Sequence, residues 1–545
     1  MACDRVNLAR DVISEHFRVP ISYRFLIQSL AISILVVLLI AIVFRLSEFP
    51  GLHGDEAWFG LRALEIMQHG FFSVHGMNWY TGAAFPGLVA MMFSALGVSV
   101  FSLRLLVPLL NWAAIALVMV TFWYRGCAPF FAALLFASSL LFLYYSRRAG
   151  ETFAFDNFDL ALIIFALSRL LSTDRARFGD AFLFFSAFAF ATWNHFIFLV
   201  AVISFAITAF FISFRDRSPT SARIFLLGTL NLVVPALLYF GKPHLRDGDF
   251  INHAMVALLS GAFLLLGVSL LFVIMDRWIS PTIARFLASK PLLSKGLASL
   301  LIFSVFAGLV YSIRKHHLMA FYHLMAFFGT LSGVIPRGRI VSYVAEPVDS
   351  VAGLLWAAVL VGVFLVFLIR ATRLDHGDQP DSLRCVLLVW PAVYFVILPF
   401  VAPYTAERYY LIPHFLLLIA VALVFDEIPF LWRRALGVVL IIGFFQAQFF
   451  LWSEVMKTEN RRPIEVRFGP YYEDTSAHYM RLNKLEGFLR EQGVCEIESS
   501  SYFIYEPLKF LQKSHPPFCH KARAVRIEYC NTCQEPVPWF EITYQ

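Results

Sequence analysis

The sequence predicts an all-α polytopic membrane protein with about thirteen transmembrane helices and a small soluble α/β domain at its C-terminal end. Three observations lead to the membrane part of that expectation. The 545-residue chain is 59% hydrophobic and only 15% charged, far less charge than a soluble domain exposes. The apolar residues gather into the runs Ile27–Phe44, Leu103–Trp123, Met255–Val273, Val351–Ile369 and Leu436–Phe450, each near the length that crosses a hydrocarbon core. Such runs satisfy their backbone only as helices. The composition then changes sharply after Trp452.

The polar tail 1–24 carries Arg5, Arg10, Arg18 and Arg24, which places it on the cytoplasmic side. The first apolar run is too long for a cleaved signal and reads as a retained anchor. Residues 25–452 form the transmembrane part, and 46–100 its first outer loop. There Glu56–Gln68 reads as an interfacial helix with Arg62, Glu65 and His69 on one stripe, closed by Gly70 as a C-cap. A second short apolar segment covers Phe85–Leu96. Spans then follow at 101–124, 128–145 and 152–171. A hairpin follows at 181–193 and 196–214, with Trp193-Asn194-His195 at its outer tip. Further spans are expected at 224–240, 254–275, 297–313, 351–370 and 385–400, then a return to Arg433-Arg434 and a last span at 435–452. Arginines cluster in the loops assigned to the cytoplasm.

Residues 453–545 read as an extracytoplasmic α/β unit with an amphipathic helix over Thr475–Arg490. Four of the seven cysteines lie here: Cys495, Cys519, Cys530 and Cys533. In an oxidising compartment they suit disulfides, and Cys530-Asn531-Thr532-Cys533 also fits half a zinc site or a redox pair.

The net charge of +7 is spread through short loops, which argues against nucleic acid as a partner. The residues with chemical potential fall on one membrane face: Asp55 and Glu56, Arg147, Arg148 and Glu151, His195, Lys242, Arg246 and Asp249, and Glu407 with Arg408. Guanidiniums bind phosphate bidentately. A carboxylate can take a proton from an attacking hydroxyl or hold a divalent cation, and no cofactor is assigned. The plain alternatives are a solvated helix start at Asp55-Glu56, interface anchors at Arg147-Arg148 and a satisfied polar histidine at the hairpin tip. Asp156 falls within a span, where an acid is costly and usually functional.

Gly54-Asp55-Glu56-Ala57, the stretch Leu96–Leu105, Leu140–Arg147 with its Tyr144-Tyr145-Ser146-Arg147 exit, and Arg408-Tyr409 followed by Ile412-Pro413 stand in a family-like order. On these the chain resembles the C-type membrane glycosyltransferases, within the dolichyl-phosphate-mannose protein mannosyltransferase and aminoarabinose transferase superfamily. The resemblance spans most of 25–425. It implies a multi-pass protein of a bacterial or archaeal cell membrane, with its active site outside. It implies transfer of a sugar from a polyprenyl-phosphate donor to a hydroxyl of a glycan, lipid or protein acceptor. Asp55 would be the general base in a single inverting displacement, beside Glu56, with Glu151 as second acid. Arg148 and Arg408 would stabilise the departing phosphate, with Arg147 and Lys242 in the same binding set. Some members carry a Glu-Lys-Pro-Pro segment that supplies metal and phosphate contacts; here Tyr80–Pro86 has neither charge. The alternative function is a membrane transporter or lipid flippase, which predicts ionisable residues at mid-membrane in two related halves.

Overall fold

The computed structural model describes residues 21–48, 52–70, 81–195, 197–215, 219–240, 250–279, 382–401 and 411–425, a few within 282–283 and 435–445, and then 464–466, 469–471, 476–499, 501–514, 523–529 and 540–544. Among them, apolar helices form one bundle and a small sheet follows at the C-terminal end.

Helix α1 (Ile21–Val43) is apolar on every side. Its faces nevertheless divide: Phe25, Val36 and Ile40 are exposed, while Ala31, Leu38 and Ile42 are buried. A continuous apolar outer face is stable against lipid tails and not against water. Three described segments, Phe25–Val43, Val100–Thr121 and Gly261–Trp278, are long and apolar enough to cross a membrane, and shorter apolar helices accompany them.

The first outer loop holds α2 (Gly54–His69) and α3 (Ala84–Leu96), followed by α4 (Val100–Arg104) and α5 (Leu106–Thr121). Both expected loop helices are present, and Gly70 ends α2 at φ 87° with its N–H on the Ile66 carbonyl. The expected span 128–145 breaks at Ser139 into α6 (Ala128–Ser138) and α7 (Leu140–Tyr145). The Ser139 hydroxyl accepts the Phe142 N–H and meets His414 Nε2 at 2.6 Å, so a local cap and a distant ring hold the break. Next come α8 (Glu151–Ser172), α9 (Phe178–Asn194), α10 (Phe198–Arg215), α11 (Pro219–Phe240), α12 (Phe250–Trp278), α13 (Ser382–Val401) and α14 (Leu411–Phe425). The expected spans 297–313 and 351–370, and most of 435–452, lie outside the described residues.

Packing closes these helices into a ring: α1 on α6, α6 on α14, α14 on α13, α13 on α10, then α11, α12, α9, α8, α5 and back to α1. Helix α8 also touches α13, α14 and α3, so it runs through the centre. Aromatic side chains fill the contacts. Trp390 of α13 is buried and donates its indole N–H to Ser204 Oγ at 2.9 Å, which satisfies the polar end of an otherwise apolar ring.

In the C-terminal unit, β1 (Ile464–Val466) and β2 (Gly469–Tyr471) pair antiparallel. The amphipathic helix appears as α15 (Ser476–Glu491). Strand β3 (Val494–Glu498) pairs parallel with β4 (Arg523–Tyr529), which pairs antiparallel with β5 (Phe540–Tyr544). A parallel pair needs a crossover, and α16 (Tyr502–Ser514) supplies it. Leu482, Leu485, Ile504, Leu508, Val525 and Ile527 form its core. Cys519, Cys530 and Cys533 lie outside the described residues.

Candidate functional site around the first acidic pair

Helix α2 starts through a reciprocal cap. His53 is extended at φ −80° and ψ 152°. Its Nδ1 accepts the Asp55 N–H at 2.9 Å, and Glu56 Oε2 accepts the His53 N–H at 3.0 Å. This is a capping box with imidazole in the place of the usual hydroxyl. It aims the two neighbouring carboxylates in different directions.

Glu56 turns inward and is 1% exposed. Arg104, at the end of α4, donates Nε to Oε1 at 2.9 Å and Nη2 to Oε2 at 2.8 Å. The Ala149 N–H donates to Oε1 at 2.6 Å, and Arg104 Nη1 donates to the Leu46 carbonyl at 2.9 Å. Burial pushes the Glu56 carboxyl upward, but attraction and hydrogen bonding from Arg104, with help from Arg148 and the Ala149 N–H, leave it below its usual value near 4.5. A carboxylate offers about four acceptor positions, and here Arg104, Ala149 and His53 use them. Taking up a proton would break that set. Glu56 and Arg104 thus tie the α1–α2 turn, α4 and the 146–150 turn together.

Asp55 faces the other way. Its side chain is 29% exposed, and its Oδ2 lies 3.6 Å from His53 Nδ1. Of the two acids it is the more exposed.

The two neighbouring arginines also separate. Arg147 is buried and donates to the Ala41, Phe44 and Arg45 carbonyls at 2.8, 2.7 and 3.2 Å. These carbonyls belong to the last turn of α1 and the two residues after it, where helix carbonyls run out of intrahelical partners; the Arg45 carbonyl also accepts the Glu48 N–H at 3.0 Å. Through Nη1 and Nη2, Arg147 thus caps the end of α1. Arg148 lies over the Tyr144 ring at 5.5 Å and is close enough for its charge to act on Glu56. Glu151 opens α8 one turn further on. Lys242 and Arg408 lie outside the described residues.

The hairpin tip folds back over this loop. His195 is buried and bridges Thr81 through the backbone, while Gly82 donates its N–H to the Asn194 carbonyl at 2.7 Å. A Cβ on Gly82 would lie 3.0 Å from the Asn194 Cα, so glycine permits the approach. The His195 Nδ1 accepts the Ile197 N–H at 3.2 Å, the satisfied arrangement of the plain reading. Residues Thr81–Pro86 offer no carboxylate or imidazole as metal ligand. Among the described residues no group of three or more His, Cys, Asp or Glu could hold a metal ion.

Sequence reasoning missed Arg104 as the partner of Glu56. The available signal was an arginine within the apolar run 100–121, since a buried charge in a membrane bundle demands a counter-charge. Asp156 was singled out, but the rest of the polar face of α8 was missed. There Asn157 donates to Asn111 Oδ1 at 2.6 Å, Asn111 donates to the Phe153 carbonyl at 2.6 Å, and Asp156 and Asp159 are buried.

No family model matches the chain, and no curated protein matches it. Among solved structures, the chain is similar to ArnT from Cupriavidus metallidurans in the apo state. The identity is 14%, the match covers 91% of this chain and 92% of that one, and the TM-score is 0.35. The same protein bound to undecaprenyl phosphate matches at 14% identity, over 91% of this chain and 93% of that one, with a TM-score of 0.33.

Proposed function

We propose that the protein is a membrane glycosyltransferase that moves a sugar from a polyprenyl-phosphate donor to an acceptor hydroxyl at its extracytoplasmic face, with Asp55 as general base. The observation that carries the reading is the division of the acidic pair. Glu56 is consumed by Arg104, while Asp55 stands one residue away, partly exposed, on a helix start whose position that ion pair fixes. A base needs this combination of access and rigid support.

In the proposed step the acceptor oxygen attacks the anomeric carbon as the carbon–oxygen bond to the lipid phosphate breaks. The phosphate leaves with the electron pair, and Asp55 takes the acceptor proton. The anomeric configuration inverts. Arg148, with Arg408 and Lys242, stabilises the departing phosphate, and Glu151 is the second acid. The acceptor is a protein hydroxyl, lipid A or another glycan lipid.

The experiment is transfer from undecaprenyl-phosphate-linked pentoses and hexoses in membranes containing the wild type or Asp55→Asn, each with and without a divalent cation. Loss of transfer in the variant supports the reading, and a wild-type rate removes Asp55 as base.

A second reading, a transporter or lipid flippase, is favoured by one observation. Asp156 and Asp159 are buried within the central helix α8, and acids at that depth often serve transport. Movement of labelled undecaprenyl phosphate between leaflets that is lost in Asp159→Asn, with no sugar transfer in the wild type, would favour it.

A further inference from the structure

The C-terminal unit touches the acid-bearing helix at a place built to receive it. Helix α16 packs along α2. At the crossing, α2 presents Gly60, where an added Cβ would lie 2.4 Å from Cε2 and 2.7 Å from Cδ2 of Phe510. No side chain larger than hydrogen fits there while the ring stays. Phe510 is completely buried and also stacks on Phe93 of α3, with centroids 6.0 Å apart and planes 27° apart. Helices α2 and α3 are further joined by the edge-to-face pair Phe59–Phe85 at 5.2 Å. Phe510 is therefore a wedge in the notch formed by the two helices of the first outer loop. One turn earlier on α16, Glu506 is half-buried. Burial raises its carboxyl, against the pull of Lys509, of Arg62 from α2, and of Lys513.

The notch lies five residues past Asp55, about 7.5 Å along the helix axis. The Glu56–Arg104 pair pins the start of α2 at one point. The Phe59–Phe85 pair joins α2 to α3, and the Phe510 contact, about one turn beyond Glu56, adds a further restraint on the tilt of the axis. We infer that Phe510 is a positioning residue: through the Gly60 notch, the C-terminal unit sets the direction of α2 and with it the position of the Asp55 carboxylate. The inference rests on the reading of Asp55 as base. A displacement of about 1 Å at a reacting group is enough to cost about 100-fold in rate.

The test uses the full-length protein in nanodiscs and compares Phe510→Ala, Gly60→Ala, Phe510→Leu and the double variant Gly60→Ala/Phe510→Leu. Turnover is measured with an undecaprenyl-phosphate-linked sugar. Hydrogen–deuterium exchange is followed on the peptide covering residues 54–60. Phe510→Ala and Gly60→Ala should each lower kcat by about 10- to 100-fold, leave the donor KM unchanged and speed exchange in that peptide. In the double variant the smaller leucine side chain should leave room for the methyl group added at position 60. That should return kcat to within about threefold of Phe510→Leu alone and slow exchange again. Single variants with wild-type kcat and exchange overturn the inference. So does a double variant no better than Gly60→Ala, because a loss through general instability is not repaired by a complementary change in size. If the exchange pattern appears as expected while Asp55→Asn transfers at the wild-type rate, the contact stands as a support of α2 and the assignment of Asp55 falls.

Discussion

Replacing Arg104 with methionine isolates the energetic role of the buried ion pair. The substitution keeps an unbranched apolar side chain in place and removes three donated hydrogen bonds, two to Glu56 and one to the Leu46 carbonyl. Glu56 keeps the N–H groups of Ala149 and His53 and the more distant charge of Arg148. Both partners are almost wholly buried, so water cannot replace the lost charge. Breaking one side of such a pair costs about 3–5 kcal/mol, roughly a 150- to 4000-fold change in an unfolding equilibrium. Detergent-titrated unfolding, followed by circular dichroism, reads that loss. In Arg104→Met/Glu56→Gln the stranded charge is gone, so the double variant should be more stable than Arg104→Met alone, and the coupling should appear in a double-mutant cycle. The pH dependence has a defined sign. Glu56 sits below its usual value near 4.5 in the folded protein, so its contribution is present above that value and is lost as pH falls through the lowered one. The gap between wild type and Arg104→Met should hold at neutral pH and narrow only in acid. A cost under about 1 kcal/mol, or a gap that narrows on the alkaline side, would refute the reasoning.

Asp55→Asn should lower transfer by about 100- to 10,000-fold with unchanged thermal stability, measured by sugar transfer beside differential scanning fluorimetry. Arg147→Ala should destabilise the bundle by about 3 kcal/mol, because charge-assisted bonds to the α1 carbonyls are lost. Its binding of undecaprenyl phosphate, read by native mass spectrometry, should match the wild type. Glu506→Gln should strengthen the seating of α16 on α2 at neutral pH. The Glu506 carboxyl is raised in the folded protein, so its contribution is greatest below the ordinary glutamate value and is lost as pH rises through the raised one. Proteolysis of the C-terminal unit, followed against pH, should show that step in the wild type and not in the variant.

The local signals in the sequence carried well. The glycine after His69 and the acids after His53 mark both ends of α2, because caps are written within four residues of the helix they close. Long-range pairings left no such trace. Arg104 lies 48 residues from Glu56 and Arg147 lies 106 from Ala41, and side-chain type alone does not distinguish Arg147, a cap for α1, from Arg148 beside it. The break at Ser139 was hidden for a related reason. Both flanks are apolar, and the ring that steadies the break, His414, comes 275 residues later. The wedge at Gly60 was invisible as well, since a glycine inside a helix reads only as a local cost until its neighbour in space is known.

The cap on α1 also bears on how the protein is made. The carbonyls of Ala41, Phe44 and Arg45 receive their guanidinium from a residue more than 100 positions downstream. At about 5–20 residues per second, that residue follows the end of α1 by roughly 5–20 s of synthesis. During that interval the Glu48 N–H already serves the Arg45 carbonyl, but the Ala41 and Phe44 carbonyls, without Arg147, must borrow hydrogen bonds from water at the membrane surface, because lipid provides none. The first anchor thus cannot complete its burial until α7 has been made, which joins the biogenesis of the opening helices into a single assembly step.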